Sequence, residues 1–187
     1  MNVPLIETEN YQLTQIKRED ADELFSIMRD KETMKFITPH PVETKEQMRG
    51  KVAHYLTLLE EKKELPWTIF DLVNNCMVGV FRLHKLDNWH KKAEMNAVIR
   101  SEYQQQGVMT EVLPEILSYV FKTLKLNRLV GDIFAGNKGS EKLLLKYGFH
   151  RDGILRQTDF DGEKFHDTVV YSLLRAEYLT LQKEQIR

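Results

Sequence analysis

The chain has a single cysteine, Cys76, in 187 residues, which excludes an intrachain disulfide and fits a reducing compartment. As a nucleophile Cys76 lacks an activator, because Asn74-Asn75-Cys76-Met77 reads as a turn with no histidine close in sequence to lower its pKa. The six histidines are scattered, with no pair at zinc-ligand spacing, which argues against a metal site. No apolar stretch approaches membrane-spanning length, and residues 1–7 lack the basic and then apolar segments of a leader. A cytoplasmic protein with no membrane partner is expected. The 27 basic and 28 acidic side chains nearly cancel and are mixed along the chain, so no basic face announces nucleic acid. Internal repeats, low-complexity tracts and Pro/Gly/Ser-rich linkers are also missing. With 42% hydrophobic residues, enough for one buried core, residues 1–187 read as a single domain.

Periodicity supplies the elements. A short extended run holds Leu13 and Ile16, and Ala21, Leu24, Phe25, Ile27 and Met28 then take helical spacing. Thr44 and Gln47 make a capping box ahead of an apolar stripe of Met48, Val52, Tyr55, Leu56 and Leu59. The charged run Glu60-Glu61-Lys62-Lys63-Glu64 reads as the solvated end of that helix. Residues 67–73 and 77–83 form a hairpin about Asn74-Asn75, and residues 93–99 a third strand. Residues 110–124 carry a helical pattern, 129–134 another strand, and 138–146 a helix that stops at Tyr147-Gly148. Runs 149–160 and 164–174 flank the hairpin signal Asp161-Gly162, and residues 175–185 close as a helix. The order implies an α/β fold: a mixed, largely antiparallel central sheet flanked by helices, with a βαβ crossover.

The most informative stretch is Gln104-Gln105-Gln106-Gly107-Val108-Met109-Thr110-Glu111, between the strand at 93–99 and the helix at 110–124. A strand feeding through a glycine turn into a helix gathers backbone N–H groups that have no acceptor inside the helix, at the positive end of its dipole. That geometry binds phosphate, and Gly107 can take φ > 0 and let an anion approach the backbone. On one glycine alone, an ordinary strand-to-helix loop is the better reading.

Gln104 and Gly107 match the phosphate loop Q/R-x-x-G-x-G/A of GNAT-type N-acetyltransferases, and Thr110-Glu111 follow it as in the ribosomal-protein N-terminal acetyltransferases of the RimJ/RimL type. Asn137-Lys138-Gly139-Ser140 matches that subfamily's N-x-x-S ahead of a helix ending in Gly148-Phe149. Leu126-Asn127-Arg128, Asp152-Gly153, and Asp167 ahead of Tyr171-Ser172-Leu173-Leu174 also fit. On these residues the chain resembles the family nearly end to end. It departs at Met109, where the loop usually ends in glycine or alanine, and at Leu144, where many members carry a tyrosine that protonates the departing thiolate; Tyr147 is out of register to replace it.

The resemblance implies a GNAT-like sheet with acyl-CoA at the crossover, acetyl-CoA as co-substrate, no metal, and a primary amine as acceptor. At the subfamily level that amine is a protein N-terminus; a homodimer is left open. It further implies that backbone groups of Val98, Ile99 and Arg100 pair with the pantetheine arm and offer a donor to the carbonyl oxygen. Backbone N–H groups of Gln105, Gln106, Gly107, Val108, Met109 and Thr110 would hold the pyrophosphate. Asn137 would contact the cofactor arm, and Ser140 would lie near the sulfur as the hydroxyl left to protonate the thiolate; a turn end at Asn137 and a helix cap at Ser140 are the alternative roles. Glu94 is the candidate base or water-orienting group, with a solvated strand carboxylate as the alternative. Alternation puts Glu94, Asn96 and Val98 on one strand face and Ala93, Met95, Ala97 and Ile99 on the other, and leaves open which lines the cleft. His84, Trp89 and His90 read as an exposed connection between strands, and Asp132 as a similarly incidental group. Two other activities stay open: acetylation of a small amine such as a polyamine, amino acid or aminoglycoside, and non-catalytic acyl-CoA binding, which the missing tyrosine motivates.

Overall fold

The computed structural model describes residues 3–185 and arranges them around one eight-stranded sheet. Strands β1 (Ile6–Glu7), β2 (Tyr11–Gln15), β3 (Leu65–Asp71), β4 (Cys76–Asp87) and β5 (Lys92–Ile99) pair in succession, all antiparallel. Strand β6 (Arg128–Phe134) runs parallel to β5, and β8 (Phe165–Leu174) lies between β6 and the edge strand β7 (His150–Phe160), antiparallel to both. The expected mixed, largely antiparallel sheet with a parallel crossover is therefore present. Among the described residues no helix is long and apolar enough to cross a membrane.

Helices α1 (Ala21–Met28), α2 (Lys31–Met34), α3 (Lys45–Glu60), α4 (Val108–Ser118), α5 (Lys138–Lys146) and α6 (Arg175–Gln185) flank the sheet. Strand alternation sorts their partners. Leu24 of α1 and Met48 and Val52 of α3 share a core with Val80 and Val98, whereas Val112, Ile116 and Leu117 of α4 share another with Trp67, Phe81 and Ile99. The α3 capping box forms as expected, each of Thr44 and Gln47 accepting the other's backbone N–H at 3.2 Å. Such a cap contributes about 1 kcal/mol.

The structure departs from the sequence pattern in four places. The helix expected over 110–124 begins at Val108 and gives way to a π-turn at Tyr119–Thr123, where the Phe121 carbonyl accepts the Arg175 Nε at 2.9 Å. Glu64, expected in a solvated run, is 1% exposed and holds Arg82 through two hydrogen bonds. Strand β4 runs on to Asp87, so His84 sits inside a strand rather than in a connection. Cys76 begins β4 instead of lying in the turn, its thiol 3.2 Å from the Tyr103 hydroxyl. The short β1 and α2 add to the pattern.

Several residues that carry the resemblance hold elements together. The Glu111 carboxylate accepts the Asn10 backbone N–H at 2.7 Å and its side-chain amide at 2.9 Å, tying the start of α4 to the β1–β2 turn. Arg128 pairs with Asp152 at 2.6 Å, joining β6 to β7. Asp167 accepts the Gln157 N–H at 2.8 Å, where Gln157 takes φ 55° in a β7 bulge.

Candidate active site

Strands β5 and β6 pair only over Lys92↔Arg128, Ala93↔Leu129 and Glu94↔Val130, and then separate. The gap opens a cleft of about 610 Å³ that runs from the start of α4 through the sheet to α2. The Arg100 N–H bonds the Val78 carbonyl at 2.9 Å, so the even-numbered residues of β5 turn their backbone groups toward β4. Ala97 and Ile99 therefore present N–H and C=O to the gap, apart from the Ile99 carbonyl, which accepts the Gln104 side chain at 2.9 Å, and Met95 presents its C=O, its N–H being used in the Glu94↔Val130 pairing. Gly131 faces this gap from β6; a Cβ there would stand 3.2 Å from both Met95 and Leu144 side chains.

At one end lies the loop before α4. Gly107 is the helix N-cap with φ 89°, and Gln105 also takes positive φ, at 60°. No side chain caps the helix, so the N–H groups of Val108, Met109 and Thr110 have no acceptor in its first turn, while the Glu111 N–H already bonds the Gly107 carbonyl. Alternating backbone hand and a bare helix N-terminus together make an anion-binding concavity. Lys138, Lys142 and Lys146 of α5 line the same cleft. Their i, i+4, i+8 spacing puts them on one helix face, which is the sequence signal that points to them.

Of the residues expected here, Ile99, Gln105, Gly107, Val108, Met109, Thr110, Asn137 and Ser140 line the cleft; Val98 lines it too, but its backbone groups, like those of Arg100, pair with β4 instead of facing the gap as expected, and Glu94, Arg100 and Gln106 lie outside the cleft wall. The Gln106 side chain bonds the Glu102 carbonyl, and the Arg100 side chain reaches Ser26 at 3.3 Å. Asn137 caps α5 by accepting the Ser140 N–H at 3.1 Å, so the cap falls to Asn137 and not to Ser140, which sits inside the first turn. The Ser140 hydroxyl makes no hydrogen bond among the described residues. Leu144 is buried on the cleft wall. Tyr147 donates its hydroxyl to the Thr110 carbonyl at 2.5 Å, the acceptor that Pro114, lacking an N–H, leaves open inside α4.

The other end of the cleft is lined by Phe36, Ile37, Asn96, Asp132 and Phe134. Phe134 packs against Phe36 and His166, with centroids 6.2 and 4.5 Å away. Glu94 lies on the same sheet face but is paired with Lys85, 2.7 Å away. Asp132 makes no hydrogen bond or ion pair among the described residues; desolvation raises its pKa, and the Glu94 carboxylate adds to the rise. Nothing in local sequence singles out Phe36, Asn96 or Phe134, since only the sheet register brings them together.

His84, opposite Glu94 in the ladder, has its pKa lowered to about 4, first by burial and then by Arg82. The unfolded chain binds a proton near pH 6.5 that the folded chain refuses, so this contribution is complete above that pH and lost as pH falls toward about 4. A His84→Gln chain is expected to lose less stability than the parent across that window, read from urea midpoints at stepped pH; equal slopes would refute the assignment.

The model of the acetyltransferase (GNAT) domain matches residues 11–150. The chain belongs to the GNAT acetyltransferase family. It is 31% identical to the uncharacterized N-acetyltransferase YoaA of Bacillus subtilis (strain 168), over 92% of this chain and 97% of that protein. Among solved structures it superposes on RimL, a ribosomal alpha-N-protein acetyltransferase in complex with coenzyme A, with a TM-score of 0.83 at 19% identity, covering 91% of this chain and 98% of that one. It also superposes on a spermidine N-acetyltransferase from Vibrio cholerae in complex with CoA and spermine, with a TM-score of 0.81 at 20% identity over 91% and 98%. At these identities the two structures show a shared fold. As a GNAT enzyme the chain is an N-acetyltransferase with acetyl-CoA as co-substrate. The splayed β5 edge and the uncapped α4 N-terminus fit a molecule with an amide-bearing arm and a pyrophosphate.

Proposed function

We propose that this GNAT enzyme moves an acetyl group directly from acetyl-CoA to a primary amine that enters between Phe36 and Phe134, with a protein N-terminal amine as the acceptor. The observation that carries the reading is the separation of β5 from β6 after Glu94↔Val130, which leaves an unpaired strand edge ending in a bare helix N-terminus. Backbone groups of Met95, Ala97 and Ile99 pair with the pantetheine amides, and the N–H groups of Gly107, Val108, Met109 and Thr110 hold the pyrophosphate, with Gln105 shaping the turn and Lys142 adding charge. Asn137 fixes the start of α5, and the free Ser140 hydroxyl is the group in reach of the departing sulfur. With no tyrosine at position 144, that thiolate, of pKa near 8.5 for an ordinary thiol, leaves with help from Ser140 or water. Direct transfer is supported by the cleft wall, which contains no cysteine among the described residues.

The motif residues shared with the RimJ/RimL type support a peptide N-terminus, and the open mouth at Phe36 and Ile37 leaves room for a chain to trail into solvent. A small polycationic amine is the second reading, supported by the unpaired Asp132 carboxylate and by Asp159 near it. Thiol release from acetyl-CoA, measured against peptides with free N-termini and against small amines, separates the two. Release with peptides alone is the expected result. Acetyl-CoA binding by calorimetry without release for any amine would leave only a binding domain, and absent binding would defeat both.

A further inference from the structure

We propose that Asp132 is the catalytic base, taking the proton from the acceptor ammonium at the point where β5 and β6 part. The inference rests on the acetyltransferase reading above. Val130 is the last β6 residue paired with β5, and Asp132 is the next residue on that strand face, so its carboxylate stands just beyond the fork. It lines the cleft between Asn96, across the gap on β5, and Phe134 on its own strand. The pantetheine edge of β5 ends at the same fork, so a thioester threaded along that edge brings its carbonyl to the level of Asp132.

The neighbouring groups explain why Asp132, and not Glu94, is available. Glu94 on β5 is held by Lys85, from the β4 bulge, at 2.7 Å and lies outside the cleft wall. Arg128, earlier on β6, is committed to Asp152 at 2.6 Å. Asp159 on β7 accepts the Thr158 hydroxyl at 3.0 Å and also bonds Thr168 of β8. His166 on β8 is engaged by Asp161. His84, across the ladder from Glu94, is held neutral. Asp132 thus faces two carboxylates, Glu94 and Asp159, and two cations already spent on other partners, Lys85 and Arg128. Asp132 is exposed to the cleft, and a carboxylate with no fixed partner and like charge beside it both attracts an ammonium and accepts a proton more readily than one paired with a cation. A base is most effective when its pKa approaches the working pH, and the upward shift at Asp132 moves it in that direction.

The step balances without a further reactant. One ammonium proton passes to the Asp132 carboxylate and on to solvent, and the freed nitrogen lone pair forms the C–N bond to the thioester carbonyl carbon. As the C–S bond breaks, its electron pair leaves with sulfur, and the second N–H proton goes to that sulfur, so the products are the amide, the CoA thiol and one proton in solution.

The test is the pH dependence of kcat/KM for the Asp132→Asn, Asp132→Glu and Glu94→Gln enzymes, with the most active peptide and the most active alkyl amine of the acceptor panel. Once the base is gone, only amine already deprotonated in solution reacts. At pH 7 the Asp132→Asn enzyme is therefore expected to lose about tenfold with a peptide amine of pKa near 8, and about 2,500-fold with an alkyl amine of pKa near 10.4. Both losses are regained as pH passes the amine's own pKa, with acetyl-CoA affinity unchanged by calorimetry. Asp132→Glu keeps the parent profile shape, and Glu94→Gln leaves it in place. A pH profile for Asp132→Asn parallel to the parent's, with the same loss for both amines, would overturn the assignment while leaving the enzyme an acetyltransferase. If the unaltered enzyme releases no thiol with any amine in the panel, the acetyltransferase reading fails and the role of Asp132 with it.

Discussion

Replacing Thr110 with glutamate is expected to stabilise the fold slightly and to weaken acetyl-CoA binding about a hundredfold, which is about 2.7 kcal/mol. Thr110 is the third residue of α4, exposed and on the cleft wall, with no side chain capping the helix ahead of it. A carboxylate in the first helical turn interacts favourably with the dipole, contributing about 0.3–1 kcal/mol to stability. The same carboxylate stands where the pyrophosphate is proposed to bind. Two like charges 4 Å apart repel by about 4 kcal/mol at an effective dielectric of 20, before salt screens part of it. The opposite signs are the diagnostic feature, since a merely disruptive substitution would lower both quantities. Thr110→Val, which keeps the backbone N–H, should bind nearly as the parent does. Calorimetric affinity for acetyl-CoA that stays unchanged in a well-folded Thr110→Glu chain would move the phosphate site elsewhere.

The second large effect concerns Glu64. Its carboxylate, 1% exposed, is 2.5 Å from Arg82 Nε and 3.1 Å from the second guanidinium nitrogen, and the guanidinium lies 4.2 Å over the Tyr55 ring. Glu64→Ala leaves a largely buried cation without its partner, and the expected loss is about 3 kcal/mol, the lower end for such pairs. Replacing both partners with apolar residues of similar size, Glu64→Leu with Arg82→Met, removes the desolvated charges together and should recover most of that loss. Urea unfolding of both single variants and the double variant gives the coupling directly. A Glu64→Ala chain within about 1 kcal/mol of the parent would show the pair to be solvent-screened. Arg82 also lies beside His84 and opposite Asn96, so this pair braces the β4–β5 ladder from which the cleft opens.

Glu64 illustrates where local pattern stops being informative. In Glu60-Glu61-Lys62-Lys63-Glu64 every residue type favours solvent, and four of the five are exposed. The fifth turns inward because β3 begins at Leu65 and places its predecessor beside Arg82 of the neighbouring strand. The extra turn geometry after Ser118 is similar. The helical pattern of residues 110–124 is continuous, and the π-turn exists because a distant arginine, Arg175, takes up the Phe121 carbonyl.

By itself the sequence determined the order of the longer elements, the largely antiparallel sheet with one parallel crossover, the α3 cap and the left-handed turn at Gly107. These follow from spacing along a few consecutive residues, and periods of 2 and 3.6, a capping box and a left-handed glycine are local properties. The motif residues carried the GNAT resemblance for the same reason. Only the tertiary structure decided which carboxylate stands free in the cleft. Glu94 and Asp132 are 38 residues apart and equally plausible as strand acids. The β5–β6 register puts them on one face, the β4 bulge brings Lys85 to Glu94, and the fork leaves Asp132 without a partner. A carboxylate's chemistry depends on the charges within a few ångströms of it, and those come from strands far apart in sequence.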